Sequence, residues 1–328
     1  MSMLPALGID VAKAKLDAAL LLAGRVRHRV FANTPTGHAE LLGWVRQHGL
    51  TQVHACLEAT GTYGEAVALA LHAAEHVVSY INPARLKAFA QTTMTRTKTD
   101  KTDAILLARF CEVHHPPRWT PPAPELRELQ ALVRRWESLQ QMRQQEVNRL
   151  ASGVTAAAVQ ASLEHMIALL DDELAHVQQL IHDHLDQHPG LKEQHALLDS
   201  IPGIGDTTAT ALLAELPNWQ TFASAREVAA QAGLTPKQKL SGSSVHGKPR
   251  LSKTGSARLR KLLYFPAVVA KTHNPLIKAF CDRLLARGKP MMVVLGAAMR
   301  KLLHLIYGVL KSGKPFDPNY RPAAKIAA

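Results

Sequence analysis

The first third of the chain is patterned for short strands and the rest for helices. Residues 4–10 (LPALGID) are apolar up to Asp10, KLDAALLLA follows, and after a turn at Gly24 the run RVRHRVFAN alternates valine with basic residues. This spacing predicts three short strands joined by tight turns, an antiparallel meander. Residues 35–48 carry helical spacing, with Pro35 suitably early and Gly49 as a stop. QVHACLEA (52–59) reads as a strand ending at Glu58, GTYGEAVALALHAA as a helix, HVVSYIN (76–82) as a strand, and Pro83 opens another helix. The order βββαβαβα, followed by a helix from Asp100, predicts an α/β layer built on a mixed sheet.

HHPPRWTPPAP (114–124) breaks this pattern and marks a domain boundary. Beyond it, Glu125–Leu150 and Ser162–Asp186 read as long polar helices with heptad-like apolar positions, suited to an antiparallel arm, a dimer seam or a simple helical hairpin. DSIPGIGDTTATALLAEL (199–216) reads as helix, Gly-x-Gly turn, helix: a helix-hairpin-helix in which Gly203 and Gly205 let backbone N–H groups approach a phosphate, or a plain helical turn. A helix at 225–232, a loop over 233–255 and helices near 256–272, 275–287 and 290–311 complete the chain. The division expected is an α/β domain over 1–114, a Pro-rich linker and coiled-coil arm over 115–190, and a mainly α domain over 191–328.

Charge sharpens this picture. The 328 residues carry a net charge of +13, and residues 237–321 hold eighteen Lys and Arg against only Asp282 and Asp317. The excess is confined to one end and points to a polyanionic partner there. The three cysteines are far apart and form no CxxC pair, so a disulfide framework or zinc-thiolate site is not expected, which suits a reducing cytoplasm. Cys111 with His114 and His115 resembles half a metal site whose second half does not follow in sequence. No signal-peptide pattern opens the chain. The closest approach to a membrane span, Met291–Ala298, is short of the roughly 18 apolar residues one needs.

The candidate chemistry is carboxylate chemistry. Asp100 and Asp103 lie three apart at a helix start, with Thr99 or Asp100 as N-cap, so both can face one spot. Alone, such a pair also serves as an acidic first turn that complements the helix dipole. Asp10 ends the first strand and Glu58 the fourth. Acids on the first and fourth strands plus a pair on a later helix is the layout of a ribonuclease-H-like nuclease, where four carboxylates hold two Mg²⁺ about 4 Å apart for phosphoryl transfer. Ser241-Gly242-Ser243-Ser244 lies in a flexible loop flanked by Lys237, Lys239, Lys248, Arg250 and Lys253. It could deliver a serine to a phosphodiester, or simply bind phosphate; no histidine or aspartate beside it completes a triad.

GIDVAK (8–13), LEATGTY (57–63), INPARLKAFA (81–90), KTDKTDA (98–104), SIPGIG (200–205), AGLTPKQKLSGSSVHGK (232–248) and GVLKSGKPFD (308–317) together resemble the DEDD transposases of bacterial insertion sequences, the bridge-RNA-guided serine recombinases. The resemblance runs from about residue 7 to 317, although 115–190 match only in helical character. It implies a Holliday-junction-resolvase-like N-terminal domain in which Asp10, Glu58, Asp100 and Asp103 hold Mg²⁺ (or Mn²⁺). It also implies a C-terminal transposase domain in which Ser241 is the nucleophile and forms a covalent phosphoserine link to DNA. The partners implied are donor and target DNA, a structured guide RNA encoded by the element, and further copies of the chain, from dimer to tetramer, in which one subunit's acids complete another's serine site. The setting implied is the bacterial cytoplasm, at the nucleoid, with no membrane. Two other readings remain: a metal-dependent junction nuclease that uses water, and a non-catalytic nucleic-acid-binding protein with a decayed nuclease fold.

Overall fold

In the computed structural model, residues 4–59, 61, 63–92, 99–153, 156–241 and 245–319 are described, those of 239–249 by backbone alone. The chain divides into two compact units, Met1–Pro121 and Pro122–Ala328.

The first unit is built on a five-stranded sheet ordered β3-β2-β1-β4-β5. The strands are β1 (Ala6–Val11), β2 (Lys15–Leu22), β3 (Arg25–Ala32), β4 (His54–Glu58) and β5 (Val77–Ile81). β1, β2 and β3 form the antiparallel meander, while β4 runs parallel to β1 and β5 parallel to β4. Parallel neighbours need crossover helices, and α1 (Pro35–Gln47) and α2 (Glu65–Ala73) supply them. Both bury their apolar stripes on one face, where Leu41, Trp44, Val67 and Leu71 meet Leu7, Ile9, Leu16 and Leu57. The other face is covered by α4 (Asp100–His114), with α3 (Pro83–Thr92) beside it; here Ala104, Leu107, Phe110 and Cys111 pack on Ala6, Ala19, Cys56 and Ile81. Strand order and direction together make this a ribonuclease-H-like domain.

One glycine sets how close α4 can come. A Cβ on Gly8 of β1 would lie 2.0 Å from the Ala104 carbonyl oxygen and 2.3 Å from the Ala108 nitrogen. The helix backbone therefore rests directly on the first strand, which only a residue without a side chain permits. Ala104 and Ala108 are the small residues on the helix side of the same contact.

The second unit is helical: α5 (Pro124–Ala151), α6 (Ala157–Gln187), α7 (Pro189–Asp199), α8 (Asp206–Glu215), α9 (Ala225–Gln231), α10 (Ala257–His273), α11 (Pro275–Ala286) and α12 (Met291–Ser312) share one core. The long pair α5 and α6 forms a hairpin, tied by the Arg143–Asp171 ion pair. Its basal residues Leu129, Val133, Ile181 and Leu185 join the same core as the helices after residue 190.

Three sequence expectations change. The loop expected over 233–255 contains a two-stranded hairpin, β6 (Pro236–Ser241) and β7 (Val245–Leu251). Its lysines and glycines hid the strand pattern, since the two strands carry few apolar residues whose alternation could be read. The first helix of the Gly-x-Gly turn ends at Asp199 instead of beginning there. Gly203, at φ +103°, is required by packing: a Cβ there would sit 2.7 Å from the Ala270 Cβ on α10. Lastly, α12 is 22 residues long and apolar enough to match a membrane span in length and composition, where the sequence suggested only a short run. Half of its most apolar window is buried against the other helices of this unit, with Leu302, Leu303 and Ile306 at its centre.

Candidate active site

The acids of the first unit meet on the α4 face of the sheet. Along β1, Leu7 and Ile9 point to the α1/α2 core, so Asp10 takes the opposite face by strand alternation. Along β4, Ala55 and Leu57 point to α1/α2 and Cys56 to α4, so Glu58 also lies on the α4 side. Because Ile9 pairs with Leu57 in the parallel ladder, Asp10 and Glu58 are neighbours across adjacent strands.

Asp100 and Asp103 arrive on α4. Thr99 is the N-cap: its Oγ1 accepts from the Thr102 N–H at 3.2 Å, and the Thr102 Oγ1 accepts from the Thr99 N–H at 2.8 Å. This reciprocal cap fixes the helix start and settles the sequence alternatives in favour of Thr99, placing both aspartates in the first turn. Residues 93–98, which include Lys98 of the KTDKTDA motif, lie outside the described residues.

Asp10 registers the convergence electrically. Its pKa is pushed up to about 6, first by burial and then by the negative charges of Asp100, Asp103, Asp17 and Glu58. Glu58, Asp100 and Asp103 are therefore each within electrostatic reach of Asp10. They offer only hard oxygen donors, the set that suits a divalent ion such as Mg²⁺ or Mn²⁺, and a carboxylate crowded by four others is the environment a divalent cation relieves.

Asp17 is a fifth carboxylate that the sequence reading missed. It pairs with Asp10 across the β1–β2 ladder and is only 4% exposed. His28 Nε2 lies 3.0 Å from one of its oxygens and Lys15 Nζ 3.0 Å from the other. Lys15 also reaches Asp100 at 2.7 Å, and the two carboxylates hold its ammonium well above the usual lysine range. Lysine thus compensates one side of the cluster, where His28 also contacts Asp17, and Asp10 sits on the crowded side. An aspartate inside the apolar run KLDAALLL was the available signal, because a buried charge needs partners.

Ser241 belongs to the second unit. It is the last residue of β6 and pairs with Val245 of β7. Gly242, Ser243 and Ser244 lie outside the described residues. The basic positions around it include a directly opposed like-charge pair, Lys237 against Arg250, both exposed.

A family model described as "Transposase", of the DEDD IS110 type, matches residues 7–158, and one described as "Transposase IS116/IS110/IS902 family" matches 195–282. The "Pilin gene-inverting protein" of Moraxella bovis is 33% identical over 314 residues, spanning 95% of this chain and 97% of that protein. The chain belongs to the IS110 family of transposases. As a member it is a DNA strand-cleaving and rejoining enzyme. Similarity of the same extent, 33% over 95% of this chain, links it to the Moraxella lacunata "Pilin gene-inverting protein". The "Insertion element IS110 uncharacterized 43.6 kDa protein" of Streptomyces coelicolor is 30% identical over 42% of this chain and 35% of its own length. Among solved structures, T. thermophilus RuvC in complex with a Holliday junction substrate aligns over 36% of this chain and all of its own, at 14% identity and a TM-score of 0.27.

Proposed function

We propose that this IS110-family transposase is an RNA-guided DNA recombinase of an insertion sequence. In this reading Ser241 cuts and rejoins DNA, and Asp10, Glu58, Asp100 and Asp103 form the metal site that supports it. The observation that carries the metal site is the gathering of Asp100, Asp103, Asp17 and Glu58 around Asp10, whose carboxyl pKa is pushed up to about 6 first by burial and then by these charges. When bound there, divalent ions, Mg²⁺ or Mn²⁺, would neutralise charge on the transferring phosphate and lower the pKa of an attacking oxygen. Asp10 and Glu58 provide the rigid sheet side of the site, and the Thr99–Thr102 cap delivers Asp100 and Asp103 from the helix side. Lys15, shared between Asp17 and Asp100, offsets part of the negative charge that gathers around Asp10.

Ser241 Oγ then gives up its proton and bonds to phosphorus while a sugar oxygen leaves. The strand end is kept as a phosphoserine, and reverse attack by another sugar hydroxyl releases the serine and rejoins the DNA. The Moraxella relatives are named for inverting a gene, which supports rearrangement as the outcome for this chain too. The excess of Lys and Arg over 237–321 suits the phosphates of donor DNA, target DNA and a structured guide RNA encoded by the element. Met142, Val159, Met166 and Leu169 are exposed apolar residues toward the far end of the α5–α6 hairpin, which supports assembly into a dimer or tetramer through this arm.

Ser241→Ala tests the reading directly. The variant should retain DNA and RNA binding, lose recombination, and lose the protein–DNA adduct trapped by denaturation from wild type. RNA co-purified with the wild type should be a discrete transcript from the element's flank. A variant that still cuts DNA in Mg²⁺ without any adduct would instead establish the water-based junction nuclease that the carboxylate cluster alone could support.

A further inference from the structure

The sheet end opposite the carboxylates carries a second cluster of metal-binding groups. His54 begins β4 and Glu58 ends it, so the two ends of the strand are separated by about 13 Å at 3.3 Å per residue. At the His54 end, ligand atoms of His54, Cys56 and Cys111 all lie within 4.8 Å of one another, and all three residues are buried. Cys111 therefore does have a second half-site, contributed by a neighbouring strand and not by nearby sequence. We propose that His54, Cys56 and Cys111 form a structural zinc site, distinct from the carboxylate site, that pins β4 to α4.

The hydrogen bonds prepare His54 for this role. Ser79 Oγ has one hydrogen, and the carbonyl oxygens of Pro117 at 2.7 Å and Pro116 at 3.2 Å are its acceptors. Ser79 Oγ must then accept from His54 Nε2–H, 2.8 Å away. This fixes the tautomer in which Nδ1 keeps its lone pair. An imidazole that donates one ring N–H to a fixed partner and offers the other nitrogen is the usual state of a zinc ligand.

Charge and space agree. Zinc–sulfur bonds of about 2.3 Å and zinc–nitrogen bonds of about 2.0 Å place tetrahedral donors roughly 3.3–3.8 Å apart, and small side-chain rotations bring the three donors to that spacing. Two thiolates and one zinc ion sum to zero charge, so the loaded site carries no net charge in a buried location. Each thiol releases its proton to solvent as the ion binds. A cavity of about 340 Å³, lined by His54, Cys111, His115 and Arg118 among others, gives the ion a way in. His115 ends α4 in the left-handed conformation, φ +43°, and shares that cavity, where the fourth position of the ion would open to it or to water.

Metal analysis of the full-length protein, produced in zinc-supplemented medium and dialysed with excess Mg²⁺, should find one zinc per chain. Replacing zinc with Co²⁺ should give a thiolate-to-cobalt charge-transfer band, which cobalt at a carboxylate site cannot produce. The band should vanish in C56S and in C111S, and persist in C281A and in D10N. Ser79→Ala, which removes the partner of the histidine along with the serine's bonds to the Pro116 and Pro117 carbonyls, should weaken zinc affinity by about ten- to hundredfold. Stripping zinc with a soft chelator while Mg²⁺ is present should lower the melting temperature of the first unit. Absence of zinc together with absence of the cobalt band in folded wild type overturns the proposal, as does a Cys56–Cys111 disulfide in the freshly isolated protein or a band that survives both cysteine variants.

Discussion

At the residue scale the carboxylate site is held together against its own repulsion. Asp10 has its pKa raised from 3.8 to about 6, so the folded state binds this proton more tightly than the unfolded chain does. The stabilisation it brings is complete below pH about 4 and is lost as pH rises through about 6. At neutral pH, without a divalent ion, the ionised Asp10 works against the fold. Because the group is only half buried, solvent screening reduces the effect to about 1 kcal/mol. Asp10→Asn should therefore raise the melting temperature of the first unit in EDTA at pH 7.5 by a few degrees, with the gain disappearing near pH 4. The same variant should lose the stabilisation that Mg²⁺ gives wild type, and lose recombination. Thermal melts at the two pH values, with and without Mg²⁺, check this; an Asp10→Asn protein less stable than wild type in EDTA would mean that the cluster is neutralised by something other than a bound ion.

At the scale of elements, two local features bring α4 to the sheet. Gly8→Ala would drive a Cβ into the Ala104 carbonyl and the Ala108 nitrogen, both backbone atoms that a rotamer change cannot move. Overpacking of this kind costs about 1–3 kcal/mol or more, and in a domain near 100 residues each kcal/mol lowers the melting temperature by about 4–8 °C. The helix that shifts is the one carrying Asp100 and Asp103, so metal affinity should fall along with stability. Thr99→Ala removes only the cap and should cost about 1 kcal/mol, with Thr99→Ser restoring it; a calorimetric melt and a metal titration of each variant separate the two effects.

The same elements show what sequence could reveal. Asp10, Glu58, Asp100 and Asp103 were legible because each lies at or next to the end of a strand or in the first turn of a helix, where local pattern fixes both position and facing. Asp17 was not, because its place beside Asp10 depends on the register of the β1–β2 hairpin. His54, Cys56 and Cys111 were not, because a strand and a helix more than fifty residues apart meet only once α4 lies over β4. The β6–β7 strands escaped for the converse reason: lysine-rich and poor in apolar residues, they carry little alternation to read.

For the whole molecule the asymmetry of charge is the feature that a partner must answer. Eighteen Lys and Arg lie between residues 237 and 321. Some are satisfied internally, as Arg258 is by Glu137 and Glu215 and Lys278 by Asp282. Others are placed where they repel. Lys237 and Arg250, both exposed, stand directly opposite each other on the hairpin whose first strand ends in Ser241, and like charges in that position destabilise a strand pair. A phosphate between them would turn the repulsion into two attractions, and under the proposed function this pair is expected to contact a nucleic-acid backbone. Each phosphate neutralised by a cation contributes about −0.9 to the slope of log K against log salt on duplex DNA. Replacing Lys237 and Arg250 together with glutamine should therefore make that slope shallower by about 2 and weaken binding at low salt, with affinity changing equally for unrelated DNA sequences. Anisotropy titrations of wild type and the double variant across a KCl series measure both quantities. If the slope is unchanged, the hairpin cations face something other than DNA phosphate, and the proposed attack by Ser241 would need DNA held by another surface.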